Sequence, residues 1–190
     1  MSTRGEAPGT VVLPPLAPEI AAAVLSAPRL PGDAMARLPL ARGAARLLVP
    51  VLIRAPAGAP RLLLARAVHA TAGRRGPLVA FTGRRPPLAP LPSDATLCLD
   101  VARLAPEAVL ALEATLDDGA AWVLAGAEPQ AALPAPLAAR LGAVVLPVAP
   151  LRTRLAELPA LAESLLAALA RRAGVGAPRL SPAARSGRPG

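Results

Sequence analysis

The chain has 190 residues, the size of one ordinary domain, and a formal net charge of +9 in which every basic residue is arginine. One cysteine, Cys98, excludes an internal disulfide, and no uncharged apolar run reaches the ~18 residues that a membrane span needs. Glu6 and three prolines stand where a signal peptide would have its apolar core, so the composition predicts a cytoplasmic protein whose cysteine is a buried, inert thiol.

The two ends of the chain have the composition of tails. Residues 1–31 are rich in proline and alanine, and we interpret them as a tail or linker with a short helical possibility over Pro18–Leu25. Asp33 is a candidate N-cap for a helix that extends to Leu47, with Pro39 inside it. Residues 185–190 form a basic tail, which leaves residues 32–184 as the predicted domain.

The next segment has the layout of a phosphate-binding loop. Val49–Ile53 predicts a buried strand, Ala55–Pro60 a loop of small residues, and Leu62–His69 a helix. A working loop reads G-x-x-x-x-G-K-[ST], because its backbone N–H groups close on the phosphates and its lysine reaches the β- and γ-phosphates. Here only Gly58 of the glycine pattern remains, and Arg61 stands where the lysine belongs.

The rest of the chain alternates between strand and helix patterns. Glu107–Leu116, which follows Pro106, and Leu155–Arg172 have helical patterns, and Pro159 can make the start of the second a separate turn. Four further apolar runs predict strands: Leu78–Phe81, Thr96–Asp100, Ala121–Ala125 and Ala143–Val148. This alternation predicts an α/β domain with a parallel sheet flanked by helices.

Three segments resemble, in order and at matching spacing, the AAA+ ATPase domain of sigma-54-dependent transcriptional activators, the bacterial enhancer-binding proteins. The segments are VLIR…LLLARAVH, TLCLDVARLAPEAVLALEATLDDG and LPVAPLRTRLAELPALAESLLAALARRAGVGAPRLSP. They match the Walker A strand and helix, the Walker B strand with the helix after it, and the strand, turn and long helix that end in a Leu-Ser-Pro junction. The resemblance implies a P-loop NTPase-like parallel sheet with a truncated C-terminal helical portion.

The same resemblance implies a degenerate nucleotide site. Its remnants are Gly58, Arg61, Leu62 at or beside the magnesium-side hydroxyl position, and the Walker B carboxylate Asp100. Val101 occupies the position of the family's catalytic glutamate. We therefore expect no catalytic residue, no metal site, and no cofactor, with ATP and magnesium binding only if the degenerate site still works.

Two other family features are also incomplete. In the segment that resembles the arginine-finger region, Pro134 replaces the first arginine and Arg140 matches the second. The sigma-54-contacting GAFTGA loop has no room, because only about fourteen residues separate Phe81 from Thr96. We interpret Phe81-Thr82-Gly83, which resembles the centre of that loop, as a coincidence.

Some of these residues have simpler interpretations. Asp100 as the cap at the end of its strand is favoured over Asp100 as a magnesium ligand, because its partner loop is degenerate. His69, the single histidine, is expected to be a partly exposed structural residue, since a lone histidine makes no metal site.

The sequence favours a sigma-54-regulator-like protein that has lost ATP hydrolysis and acts as a regulatory or assembly partner of AAA+ relatives or other transcription regulators. The alternative in the enzyme class is a weak ATP-binding or ATPase activator that uses Arg61 and Asp100. A decayed gene product and nucleic-acid binding through the arginine-rich tail are further hypotheses, although no DNA-binding motif is present. No membrane partner is expected.

Overall fold

The computed structural model describes residues 10–18, 20, 21, 24, 32–59, 61–81, 91, 92, 94–153 and 155–186. The strands of this part of the chain are β1 (Thr10–Leu13), β2 (Val51–Arg54), β3 (Leu78–Phe81), β4 (Thr96–Asp100), β5 (Trp122–Ala127) and β6 (Val144–Pro147). They form one sheet in the order β1-β3-β4-β5-β2-β6. All pairs from β3 to β6 are parallel, as the alternation of strands and helices predicts.

Helices precede, connect and follow the parallel strands. Those in the described residues are α1 (Gly32–Arg46), α2 (Arg61–Thr71), α3 (Pro106–Asp117), α4 (Ala135–Leu141), α5 (Leu158–Ala173) and α6 (Pro182–Ser186). Short 3-10 turns precede α3 and α5, at Val101–Arg103, Leu151–Thr153 and Leu155–Glu157. No helix that the structure describes is both long and apolar enough to cross a membrane.

Strand β1 corrects part of the interpretation of residues 1–31 as a tail. Thr10–Leu13 pairs antiparallel with β3, with Thr10 opposite Phe81 and Leu13 opposite Leu78. Two valines and a threonine favour an extended backbone. Because Pro14 and Pro15 follow them directly in a proline-rich segment, the sequence pattern does not predict so short a strand. The first described strand therefore lies at the sheet edge opposite to β6.

The sheet has an apolar layer on each face. On one face, α1 and α2 pack against residues that include Val51, Ile53 and Leu124. On the other face, α3 and α4 contribute Leu112 and Leu137 to a second cluster. This three-layer arrangement is the usual way in which a parallel sheet is shielded from water on both sides.

Helix α5 follows a separate turn at the start of its segment, as Pro159 predicts. Leu155–Glu157 is a separate 3-10 turn, and α5 starts at Leu158 because Pro159 is tolerated in the first turn of a helix but not deeper inside it. Its buried Ala168 packs with Ile20 of the N-terminal segment in a small satellite core. The N-terminal segment thus contacts both the sheet edge and the last long helix.

Trp122 is the largest fully buried side chain, with 0 % of its surface exposed. It starts β5, and its indole Nε1 donates a hydrogen bond of 2.9 Å to the carbonyl of Val49. Because Val49 precedes β2, the indole fixes the entry to β2 against the start of β5. A buried indole N–H requires such a partner, and this one joins two neighbouring strands of the sheet.

A tight contact joins the chain before β3 to the chain before β4. A Cβ atom added at Gly76 would lie 2.0 Å from the carbonyl oxygen of Asp94. Asp94 has a positive φ of 59°, and the Arg74 guanidinium donates to its carbonyl at 3.0 Å and to that of Ala45 at 3.4 Å. Only glycine fits at position 76.

His69 is buried, whereas the sequence predicts a partly exposed histidine. Its Nδ1 lies 2.9 Å from Oγ1 of Thr96, at the start of β4, and both residues are buried. The last turn of α2 packs over the start of β4. Ala67 and Val68, the apolar neighbours of His69 in α2, are buried against the sheet. Burial, and secondarily the Arg74 guanidinium, lower the pKa of His69 below its usual value.

We expect stability to decrease as the pH falls below about 6.5, the ordinary histidine pKa. The unfolded chain binds a proton at His69 there, whereas the folded state resists it, so the free energy of unfolding falls until the lowered folded pKa is reached. Urea titrations between pH 5 and pH 7 measure this, with His69→Asn as the non-titrating control. His69 is the single histidine. If the free energy of unfolding changed with pH equally in both proteins, the pH dependence could not be assigned to His69.

Candidate functional site

The candidate site lies at the carboxyl ends of the parallel strands, where ligands usually bind in open α/β sheets. The loop after β2 turns at Gly58, whose φ of +79° is left-handed, and α2 begins at Arg61. Pro60, the last residue of the predicted loop, lies outside the described residues. The loop therefore keeps the strand–loop–helix order that the sequence predicts.

The backbone of this loop is bonded to itself and to β5. The N–H of Ala55 donates to Ala127, that of Ala59 to Pro56, and that of Arg61 to Ala59, at 3.0, 3.1 and 2.7 Å. A phosphate-binding loop works by directing such N–H groups at the ligand. In this conformation three of them are already used inside the protein.

The Arg61 side chain turns back across the sheet. One terminal nitrogen donates to Asp100 Oδ2 at 2.7 Å, and the other donates to the Ala55 carbonyl at 3.2 Å. The side chains of Arg61 and Asp100 are 19 % and 25 % exposed, so the two form a partly buried ion pair. The two residues that the sequence places at the Walker A and Walker B positions are thus in direct contact.

The Arg61 side chain passes over Gly126 on its way to Asp100. In the sheet register Asp100 is opposite Gly126 on β5, and Gly126 is opposite Ile53 on β2. A Cβ atom at Gly126 would lie 3.4 Å from Cδ of Arg61, in van der Waals contact with it. The sequence argument missed Gly126, although an isolated glycine inside a strand is a known sign of close approach.

Asp100 also has the capping role that the simpler interpretation gives it. Its Oδ1 accepts a hydrogen bond of 3.1 Å from the N–H of Ala102, which caps the turn Val101–Arg103. Nε of Arg103 lies 3.9 Å from Oδ2 of the same carboxylate. Both oxygens of Asp100 therefore have partners within the protein.

Val101 and Leu62 place apolar groups at two chemically important positions. Val101 is 2 % exposed and packs in the core on the α3 side of the sheet. Leu62 lies in the first turn of α2 and is 41 % exposed. Neither side chain can orient water or bind a cation.

Arg140 is not part of this site. Its guanidinium forms an ion pair with Asp117, at the end of α3, and donates to the carbonyl of Glu113 at 3.4 Å. The contact joins α4 to α3 on the surface of the domain. In this conformation Arg140 is held within its own chain.

A cavity of about 360 Å³ lies beside the Arg61–Asp100 pair, between α2 and the strands β2 to β5. Cys98 is on its wall, and burial, together with the nearby Asp100 carboxylate, raises the pKa of this thiol to about 12. The thiol is therefore neutral near pH 7 and is not a nucleophile. The described residues contain no group of three histidine, cysteine or acidic side chains arranged to hold a metal ion.

Solved structures share this fold, although no protein-family model and no curated protein matches the chain. The chain is similar to NtrX from Brucella abortus in complex with ADP, with a TM-score of 0.58 and 22 % identity over 84 % of this chain and 46 % of that one. It is also similar to the RuvB Holliday junction branch migration motor of Thermotoga maritima, with a TM-score of 0.53 and 20 % identity over 76 % of this chain and 52 % of that one.

These similarities confirm the predicted fold class. The chain has a mostly parallel α/β sheet flanked by helices, a fold that it shares with these two structures. It spans about half the length of each of these two chains. At these identities the likeness establishes the fold, and the function must be argued from the site.

Proposed function

We propose that this chain is a sigma-54-regulator-type AAA+ domain that has lost ATP hydrolysis and acts as a regulatory or assembly partner of active AAA+ relatives. The fold and the three segments that resemble the activator family support the first part. The replacement of the polar catalytic positions, while the apolar scaffold is retained, supports the second.

The ion pair between Arg61 and Asp100 is the single observation that carries the proposal. For a nucleotide-bound magnesium ion to reach the Asp100 carboxylate, Arg61 must leave it. A hydrogen bond to a charged group contributes about 1.5–3 kcal/mol, and partial exposure to solvent reduces this. Since about 1.4 kcal/mol changes an affinity tenfold, the pair alone weakens nucleotide binding substantially.

Hydrolysis has a second obstacle at Val101. An attacking water must be oriented and deprotonated, and a positioned general base contributes a factor of about 10² to 10⁴. The buried isopropyl group of Val101 supplies neither function. Even a bound nucleotide would therefore turn over slowly.

Calorimetric titration with ATP and with ADP, each with magnesium, tests the proposal. We expect no saturable heat for the native chain up to millimolar nucleotide, because the loop N–H groups and Arg61 are bonded within the protein. Asp100→Ala is the matched control, since it removes the carboxylate that a magnesium ion would need. Micromolar binding that this variant abolishes would overturn the loss of nucleotide binding and support the weak-ATPase alternative.

The partner role has its own test. We expect the chain, when mixed with the AAA+ domain of an active sigma-54 activator, to lower ATPase activity per active subunit, because an incorporated subunit offers its neighbour Pro134 and an Asp117-bound Arg140 in place of an arginine finger. Arg140→Ala tests whether this arginine takes part, since Arg140 would have to leave Asp117 before it could reach a neighbouring subunit. An activity that is unchanged at every mixing ratio would contradict co-assembly.

A further inference from the structure

We propose that the 360 Å³ cavity beside Arg61 binds a small amphipathic monoanion, in which a carboxylate is joined to an apolar body. The ligand would fill the space between α2 and the strand ends instead of a nucleotide. The inference concerns a different ligand class from the proposed function and does not depend on an assembly partner.

The body of the cavity is apolar. Its floor is closed by side chains from four adjacent strands, Ile53, Ala80, Cys98 and Leu124, which are at most 8 % exposed. Its accessible apolar surface includes Leu62, which is 41 % exposed. The Cys98 thiol is neutral, so the floor has no charge. The volume falls within the range of about 300–1,000 Å³ that is usual for small-molecule sites. Such walls favour a hydrocarbon or aryl group, because they offer it contacts and no unpaired polar atom.

The polar groups converge on one side of the cavity. Arg61 and Arg103 line it together with Asp100, so two guanidinium groups face one carboxylate. Arg61 has five N–H donors, and two bonds, to Asp100 and to Ala55, account for two of them. Arg103 is 76 % exposed, and its Nε is 3.9 Å from Asp100, so its guanidinium can rotate towards a ligand. Among the described residues that line the cavity, one positive charge remains to be balanced.

This balance selects a monoanion over a nucleotide. A nucleoside triphosphate carries several negative charges and needs a row of loop N–H groups as well as a cation. The loop N–H groups of Ala55, Ala59 and Arg61 are bonded internally, and the described charged side chains that line the cavity have a net charge of only +1. A single carboxylate can accept from both arginines and leave the Arg61–Asp100 pair in place.

Octanoate is the probe for this inference, titrated by calorimetry into the full chain. We expect one saturable site, with acetate (no apolar body) and octanol (no charge) each binding at least about tenfold more weakly. Arg103→Ala should lower octanoate affinity about tenfold, the effect of losing one charge-assisted contact. Arg171→Ala removes an exposed arginine from α5, away from the cavity lining, and should leave the affinity unchanged.

Each outcome decides something specific. Absence of saturable octanoate binding, or an equal effect of the two arginine variants, would overturn the inference. Inorganic phosphate that binds as tightly as octanoate would also overturn it, because the apolar walls would then contribute nothing. Octanoate binding together with micromolar ATP binding would support the cavity and overturn only the proposed loss of nucleotide binding. A rise in melting temperature with octanoate, absent in Arg103→Ala, is the second readout.

Discussion

Replacing Gly76 by alanine is expected to lower the free energy of unfolding by about 3 kcal/mol or more, at the upper end of what overpacking costs. The added Cβ would lie 2.0 Å from the carbonyl oxygen of Asp94 and 2.4 Å from its carbonyl carbon. Both atoms belong to the backbone of a turn that already has a positive φ at Asp94, so rotation of a side chain cannot relieve the clash. The segments that enter β3 and β4 must move apart.

Gly43→Ala is the matched control for this substitution. Gly43 lies inside α1, and a Cβ atom there would meet no atom within 4 Å. Alanine in the middle of a helix is favoured over glycine by about 0.5–1 kcal/mol, so this variant should be slightly more stable. Urea denaturation followed by far-ultraviolet circular dichroism measures both. A Gly76→Ala protein with an unchanged urea midpoint would disprove the close contact.

The second large effect is expected at Trp122. Trp122→Ala should destabilise the fold by about 3–5 kcal/mol, since it removes a fully buried aromatic side chain and leaves a cavity between the sheet and its helices. Small domains have total stabilities of about 5–15 kcal/mol, so much of the population could be unfolded. Because β5 also carries Gly126, the loss extends to the candidate site.

Two further variants separate the contributions at Trp122. Trp122→Phe retains a ring but leaves the Val49 carbonyl without its indole donor, and a cost of about 1–3 kcal/mol is expected. Leu110→Ala truncates a side chain that is 68 % exposed, and a change within about 0.5 kcal/mol is expected. Circular dichroism is the appropriate probe, because Trp122 is the single tryptophan. An alanine variant as stable as Trp122→Phe would show that packing contributes little.

Much of the sheet could be predicted from the sequence. Leu78–Phe81 and Thr96–Asp100 form strands with the predicted bounds, because short apolar runs between proline-rich segments have few other structures available. Strand β1 could not be predicted, since four residues beside two prolines carry too little pattern. Its existence depends on β3, a partner that lies far along the chain.

The candidate site was predictable in its residues but not in its contacts. The pattern around Arg61 and Asp100 places them at the same edge of the sheet. That they bond to each other depends on the register of β4, β5 and β2, which puts Gly126 between them. Similarly, the pairing of Arg140 with Asp117 depends on how α4 lies against α3, which no local pattern records.

The order of the strands has a consequence for how the chain is made. β2 lies between β5 and β6, and Val51 pairs with Leu124 and Val144, both more than seventy residues later. At synthesis rates of about 5–20 residues per second, β2 leaves the ribosome roughly 4–15 s before β5 exists to cover it. β2 is thus the first strand of the parallel sheet to be synthesised, yet it is covered late. Its apolar run is accessible to a chaperone on the nascent chain before β5 and β6 have been made.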